Sequence, residues 1–255
     1  MLIKSGKNCT FGGESAKKMK KLIIASTSTV HGGQYLDYLL PTLAQHFEAC
    51  DEILFIPYAR PGGISHEAYT GKVREVFSTI NKSVKGLHEY QNPAEAIRRA
   101  QGIFTGGGNT FLLVKQLYDN EVMSVLAKAL NHGTPYLGTS AGSNITGISM
   151  QTTNDMPIVY PPSFATLGVI PFNLNPHYLD PDANSTHMGE TRETRIKEFH
   201  AFNKIPVLGL REGSWLEVNN HTIVLKGPLT ARLFLPNKEA EELNTETDLT
   251  FLGKL

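Results

Sequence analysis

The stretch Glu52-Ile-Leu-Phe-Ile-Pro-Tyr58 decides the fold, because it is almost continuously apolar over the length of one β-strand. A strand with one face in water alternates apolar and polar residues, whereas a continuous apolar run indicates burial on both faces. Burial on both faces is typical of a parallel sheet covered by helices on its two sides. The run KLIIAST at 21–27 has the same character. These two segments therefore predict the centre of a parallel sheet.

The rest of the first 150 residues alternates between short apolar runs and amphipathic segments. Further strands are predicted at VKGLH (84–88), GIFTGG (102–107) and TPYLGTS (134–140), and helices near 34–48, 65–80, 92–101 and 110–131. Strands that alternate with helices indicate βαβ crossovers. We therefore predict an α/β fold, a three-layer, doubly wound domain with a mostly parallel sheet.

The pattern changes after residue 150. Residues 151–190 are rich in Pro, Asn, Thr and Asp, which indicates long loops, and a helix is predicted near 190–203. The short runs PVLGL, SWLEV, HTIVL and ARLFL follow, separated by turn residues such as Asn219-Asn220. They predict C-terminal antiparallel hairpins that close one edge of the same sheet. Since no linker or repeat interrupts the chain, we expect a single domain over 19–255.

Composition narrows the classes of function. Lys+Arg and Asp+Glu balance at 24 each, which argues against nucleic acid or an anionic membrane as a partner. No apolar run reaches the roughly 18 residues of a membrane span. Cys9 and Cys50 lie far apart, which is typical of a reducing compartment. We expect a cytoplasmic protein, a disordered extension over 1–18, and Met19 as an alternative start.

Ser140 lies where the strand TPYLGTS ends, in the stretch YLGTSAGSN (136–144). Ligands of open α/β sheets bind at the carboxyl ends of the strands. One interpretation is a strand-to-helix loop without chemistry. The other is a nucleophile elbow, a strained turn that needs small neighbours such as Gly138, Ala141 and Gly142 and that directs the next backbone N–H into the site.

The glycine-rich segment TGGGNT (105–110) follows another predicted strand. It lacks the fingerprint of a phosphate-binding loop. Successive glycines expose backbone N–H groups, so we predict an oxyanion hole with donors from Gly107 or Gly108 and from Ala141. The alternative is a tight turn with Asn109 as the helix N-cap, and both can hold together.

Two loops downstream of Ser140 carry a carboxylate and an imidazole, Asp155 in TTNDMPI and His177 in NLNPHY. In a serine triad the histidine removes the hydroxyl proton, and the carboxylate sets its tautomer and stabilises the imidazolium. The order Ser, Asp, His is that of the α/β-hydrolases. Each residue could also be an ordinary loop residue. The nine histidines include no HExxH motif and no paired Cys/His spacing, so we expect no metal and no cofactor.

Six motifs in one order carry a family resemblance: GGGNT, GTSAGSN, TTNDMPIV, NPH, GETRE and GL-x-EG-x-W. Over about residues 20–235 they resemble the peptidase E group of α-aspartyl dipeptidases, in the serine peptidase family that includes cyanophycinase. The resemblance implies a fold akin to class I glutamine amidotransferases. It also implies a catalytic triad of Ser140, Asp155 and His177 and a dipeptide substrate with an N-terminal aspartate.

The resemblance also implies a cation for the aspartate side chain. Arg192, in GETRE, is similar to the arginine thought to serve this purpose, although spacing alone favours a solvated charge. Its planar fork can hold a carboxylate bidentately. Glu212 lies at another strand end and is predicted either to hold the substrate ammonium or to buttress the triad loop, and Arg211 is a second cation that could shift acid recognition. We include Asn109 among the substrate-binding candidates.

Two rival functions stay open. The chain could cleave another aspartyl linkage, such as β-Asp-Arg of cyanophycin-type substrates, or it could be a catalytically silent module that binds an acidic metabolite. We expect a monomer or homodimer that acts on a small dipeptide.

Overall fold

The structure, a computed structural model, describes residues 19–254 except 183, 185 and 187. The predicted N-terminal extension, 1–18, lies outside the described residues. The described residues form eleven strands, in chain order: β1 Lys21–Ala25, β2 Glu52–Ile56, β3 Ser83–Gly86, β4 Gly102–Thr105, β5 Tyr136–Thr139, β6 Asn173–Pro176, β7 Val207–Leu210, β8 Trp215–Asn219, β9 Thr222–Lys226, β10 Ala231–Phe234 and β11 Glu241–Leu243. They form a seven-stranded and a four-stranded sheet.

All the helices except the short α6 (Ala141–Asn144) lie within the predicted segments. The helices are α1 Leu40–His46, α2 His66–Ser78, α3 Pro93–Arg99, α4 Thr110–Asp119, α5 Met123–Asn131, α6 Ala141–Asn144 and α7 Arg192–His200. The segment predicted as one helix over 110–131 contains two. Glu121, between α4 and α5, has a φ of 55°, which is incompatible with a continuous right-handed helix.

The large sheet has the order β3-β2-β4-β5-β1-β8-β9. Its first five strands are parallel, and the hairpin of β8 and β9 adds two antiparallel strands beside β1. Side chains of β1 alternate between two apolar clusters, with Leu22 and Ile24 in one and Ile23 and Ala25 in the other. Because successive side chains of a strand point to opposite faces, both faces of this sheet are buried. The predicted three-layer, mostly parallel α/β architecture is confirmed.

The C-terminal strands divide between the two sheets. SWLEV and HTIVL (β8 and β9) close the edge of the large sheet as predicted, whereas PVLGL and ARLFL (β7 and β10) lie in the four-stranded sheet, of order β11-β10-β7-β6. The reason is a further parallel unit: β6 pairs with β7, and α7 connects them. A parallel pair needs such a crossover, and β6 lies within the segment that we predicted as loop. Within the described residues, no helix combines the length and apolarity needed to cross a bilayer.

Candidate active site

Ser140 lies directly after β5, at the N-terminus of α6. Its φ of 53° and ψ of −110° are strained for a residue with a side chain. The turn is tight: a methyl group on Gly142 would collide with the carbonyl oxygen of Thr105. The small residues around Ser140 therefore allow the sharp strand-to-helix turn of a nucleophile elbow.

His177 lies directly after β6, and its Nε2 is 2.9 Å from Ser140 Oγ. The backbone holds this position: the His177 N–H donates to Ser26 Oγ at 2.9 Å, and Ser26 Oγ donates to the Leu210 carbonyl at 2.6 Å. Ser26 is fully buried at the end of β1. The imidazole is therefore held at the junction of the two sheets, within hydrogen-bond distance of the hydroxyl.

Glu212 contacts the other side of the imidazole, with its Oε1 2.6 Å from His177 Nδ1. A carboxylate accepts a hydrogen bond, so this contact favours the tautomer with the proton on Nδ1. The Nε2 atom is then free of a proton and can accept the Ser140 hydroxyl hydrogen. The contact agrees with the buttressing alternative for Glu212 and not with the alternative that it holds a substrate ammonium.

Asp155 does not take the position expected from the order of residues in the chain. Its Oδ2 accepts hydrogen bonds from Thr110 N at 2.7 Å, Thr110 Oγ1 at 2.6 Å and Thr153 Oγ1 at 3.0 Å, and it has none with His177. The physical reason is that the backbone N–H groups in the first turn of α4 have no acceptors within the helix and capture the carboxylate. The structure thus places Glu212, rather than Asp155, against Nδ1.

Three backbone amides near Ser140 have no acceptor in the described part of the chain: those of Gly107, Gly108 and Ala141. A methyl group on Gly107 would lie 3.0 Å from Ser140 Cβ, so this segment packs against Ser140. Gly108 has a φ of 148°, and a side chain there would collide with the carbonyl of Ala59. These amides are available as oxyanion donors.

Tyr69 holds the glycine segment from behind. Its hydroxyl, fully buried on α2, lies 3.3 Å from the carbonyl oxygen of Gly107. The C=O and N–H groups of a trans peptide point in opposite directions. A bond to the Gly107 carbonyl therefore orients the N–H of Gly108 away from Tyr69. This role of Tyr69 could not be predicted from the sequence, because an aromatic side chain on a helix predicts only core packing.

Ser140 and His177 line a pocket of about 260 Å³, and Arg192 and Asp155 belong to the same wall. The other lining residues are Thr110, Ala141, Asn144, Thr153, Asn154 and Pro176. Arg192 begins α7 and is partly buried, and burial lowers the pKa of its guanidinium. Among the described residues Arg192 forms no salt bridge. The alternative, a solvated charge at the start of a helix, does not account for its place in the pocket wall.

Two other residues considered for substrate binding, Arg211 and Asn109, form contacts with neighbouring side chains or backbone groups. Arg211 is not a pocket residue: it forms salt bridges with Asp180 at 2.8 Å and Glu242 at 2.5 Å, and these partners raise the pKa of its guanidinium. Asn109 caps α4, accepting from Leu112 N at 3.0 Å, and donates to the Met156 carbonyl at 2.9 Å. Its role in substrate binding stays a prediction.

One group of described residues has metal-binding potential, Glu67, His88 and Glu89, but none of them lines the pocket of Ser140. Arg74 lies 3.5 Å from each of the two carboxylates. An ion-pair network centred on this guanidinium accounts for the group, and we assign no metal to it.

The chain matches the model of peptidase family S51 over residues 22–226. It is 47% identical over 231 residues to "Peptidase E" of Streptomyces coelicolor, and the aligned region covers 91% of this chain and 94% of that protein. It is 44% identical over 236 residues to "Probable alpha-aspartyl dipeptidase" of Drosophila melanogaster, with 91% and 97% covered.

Two crystal structures have a similar fold. One is of a putative peptidase E protein from Listeria monocytogenes, with a TM-score of 0.61, 20% identity, and 82% of this chain and 99% of that chain covered. The other is of a peptidase from an acI-B1 Actinobacterium, with a TM-score of 0.68, 15% identity, and 91% and 97% covered. At these identities the likeness concerns the fold, whereas the family match spans most of the chain. The protein belongs to peptidase family S51 and is a serine peptidase.

Proposed function

We propose that this peptidase hydrolyses the bond that follows the N-terminal aspartate of Asp-Xaa dipeptides, through an acyl-enzyme on Ser140. The names of the relatives support an aspartyl dipeptidase. The observation that carries the proposal is the position of Arg192, a partly buried guanidinium that shares one pocket with Ser140 and has no carboxylate partner in the described residues. Such a group suits the side chain of an aspartyl substrate.

Acylation begins with proton transfer. His177 Nε2 accepts the Ser140 hydroxyl proton, and Oγ attacks the carbonyl carbon of the aspartyl residue. Glu212 accepts a hydrogen bond from Nδ1 and stabilises the imidazolium that forms, in place of the Asp155 that chain order favoured. The imidazolium then gives the proton to the leaving amine, which departs as the C-N bond breaks. The product is an aspartyl ester of Ser140.

The oxyanion of each tetrahedral intermediate needs donors that are already in place. The amides of Ala141 and of Gly107 or Gly108 are suited to this task, and loss of one such donor typically lowers the rate about 10²–10³-fold. Water then attacks the ester, with His177 as the base, and Ser140 recovers its proton. The base needs no further group, because the same imidazole serves both half-reactions.

A dipeptide panel on the wild type and on Ser140→Ala tests this function. Asp-Leu should be cleaved well by the wild type, and Glu-Leu, Ala-Leu and β-Asp-Arg should be cleaved poorly. Ser140→Ala should lose roughly 10⁶-fold in kcat. Preferred cleavage of β-Asp-Arg would support the cyanophycinase-like alternative. Tight aspartate binding without hydrolysis, and without labelling of Ser140 by a fluorophosphonate, would support a binding module.

A further inference from the structure

Asp155 has no partner for one of its two oxygens. Its Oδ2 accepts three hydrogen bonds from Thr110 and Thr153, whereas Oδ1 accepts none from the described residues. The three donors hold the carboxylate in a fixed orientation in the wall of the Ser140 pocket. A rigid carboxylate with one open oxygen is a site for a cation from outside the protein.

Asn144 contributes to the same wall. It is 1% exposed, its Nδ2 donates to the Leu174 carbonyl at 2.8 Å, and its Oδ1 has no hydrogen-bond donor. The bond to a carbonyl determines which end of the amide is the donor, so the unpartnered atom is the oxygen. An unpaired buried acceptor is uncommon, and its dipole adds negative potential beside the pocket.

The pocket therefore holds two opposite charges, Asp155 and Arg192, that do not neutralise each other. Asp155 and Arg192 line the same pocket, yet no nitrogen of Arg192 lies within 4.0 Å of an Asp155 oxygen. A ligand with an anionic and a cationic group could pair with both. An N-terminal aspartyl residue has this chemistry, with a carboxylate and an ammonium on adjacent carbon atoms.

We propose that Asp155 binds the α-ammonium group of the substrate while Arg192 binds its side-chain carboxylate. This inference rests on the proposed aspartyl dipeptidase function and extends it. The pocket then recognises a zwitterion, and the enzyme requires a free, protonated N-terminus. It would not cleave an aspartyl bond inside a longer chain or behind an N-acyl group.

A pair of substrates isolates the ammonium. L-Aspartyl p-nitroanilide and the mono-p-nitroanilide of succinic acid differ only in that the second has hydrogen in place of the ammonium. The wild type should prefer the aspartyl compound by about 10²-fold in kcat/KM, as expected for a hydrogen-bonded ion pair. Asp155→Asn, in which the amide can present an N–H to the ammonium, should reduce this ratio to about 10-fold or less.

Controls separate this role from others. Asp51→Asn makes the same change at an exposed carboxylate outside the pocket, and should retain the wild-type ratio. Asp155→Ser removes the charge but keeps a small acceptor for Thr110, and should reduce the ratio if Asp155→Asn does not fold. Labelling of each variant with a fluorophosphonate reports whether Ser140 stays reactive.

The outcomes are distinct. A ratio in both Asp155 variants equal to that of the wild type, with the two substrates weakened in parallel, would overturn the ammonium site and leave the proposed function standing. A wild type that cleaves neither compound nor Asp-Leu would overturn the proposed function together with this inference.

Discussion

Pro176 lies opposite Leu210 in the parallel ladder of β6 and β7, and this register brings His177 and Glu212 together. Each of the two residues follows the carboxyl end of its strand, and the carboxyl ends of parallel strands meet at one edge. The contact of 2.6 Å between His177 Nδ1 and Glu212 Oε1 is thus a consequence of strand pairing. The carboxylate that contacts the imidazole is thus determined by the pairing of β6 with β7 and not by the loop that follows Ser140.

Glu212→Gln tests this assignment. We expect kcat on Asp-Leu to fall by about 10²–10⁴-fold with a small change in KM, because an amide stabilises the imidazolium poorly and can impose the wrong tautomer. Steady-state kinetics on Asp-Leu measures the changes in kcat and KM separately. Glu239→Gln, which neutralises an exposed carboxylate outside the pocket, is the matched control. A Glu212→Gln enzyme with wild-type kcat would remove Glu212 from the mechanism.

The central fold could be predicted because its signals are local. The apolar runs of β1 and β2 indicate a parallel sheet, and the small residues around Ser140 indicate a tight turn at a strand end. The hydrogen bond between Ser140 and His177, which the triad hypothesis requires, is present at 2.9 Å. The motif around Ser140 therefore lies where the sequence predicts it, at the carboxyl end of a strand of the parallel sheet.

The carboxylate could not be selected from sequence because its signal is not local. The segment Asn173–Pro176 is short, polar and ends in proline, and nothing in it predicts a strand. Without β6 there is no parallel pair with β7, and Glu212 has no reason to lie near His177. Asp155 matched the chain order of a hydrolase triad, but its capture by Thr110 depends on how a loop packs against α4.

The strained backbone of Ser140 predicts a difference between two inactive variants. Ser140→Ala keeps the cost of φ 53° and ψ −110°, whereas Ser140→Gly relieves it. Glycine also gains freedom in the unfolded chain, which offsets part of the relief. We expect the free energy of unfolding of Ser140→Gly to exceed that of Ser140→Ala by ~1 kcal/mol in urea denaturation. A less stable glycine variant would show that the turn is unstrained.

Arg192→Met should remove the preference for aspartate. We expect kcat/KM on Asp-Leu to fall by about 10²–10³-fold, with Ala-Leu little affected, because the substrate carboxylate loses its partner in a partly buried site. Arg195→Met removes the same charge from an exposed position on α7 and should retain the selectivity. Competition between Asp-Leu and Ala-Leu measures it directly. Equal selectivity in the two variants would show that Arg192 does not bind the side-chain carboxylate of the substrate.

Tyr69→Phe should slow catalysis without a change in substrate affinity. The variant loses the hydrogen bond to the Gly107 carbonyl, so the neighbouring N–H is held less firmly. We expect kcat to fall by about 3- to 10-fold at constant KM. Tyr35→Phe is the control, since the Tyr35 hydroxyl contacts that of Tyr69 at 3.3 Å and not the glycine segment. A similar loss in the two variants would point to general loosening of the core.

His46 predicts how stability depends on pH. Burial, together with the charge of Lys21, lowers the pKa of His46 to about 3, whereas a hydrogen bond to the Tyr136 carbonyl opposes the shift. Below the ordinary value of 6.5 the unfolded chain binds a proton that the folded protein does not bind until about pH 3. The contribution of His46 to the free energy of unfolding is therefore fully present above the ordinary pKa. It is lost as the pH is lowered below that value, by at most ~1.4 kcal/mol per pH unit.

His46→Gln isolates this contribution, because glutamine can still donate to the Tyr136 carbonyl but does not titrate. Urea denaturation at about pH 7.5 and about pH 5 should show that the wild type loses ~2 kcal/mol more of its unfolding free energy than the variant does. All other titrating groups are common to the two proteins and cancel in the difference. Parallel pH profiles for the two proteins would mean that His46 binds its proton as readily when folded as when unfolded.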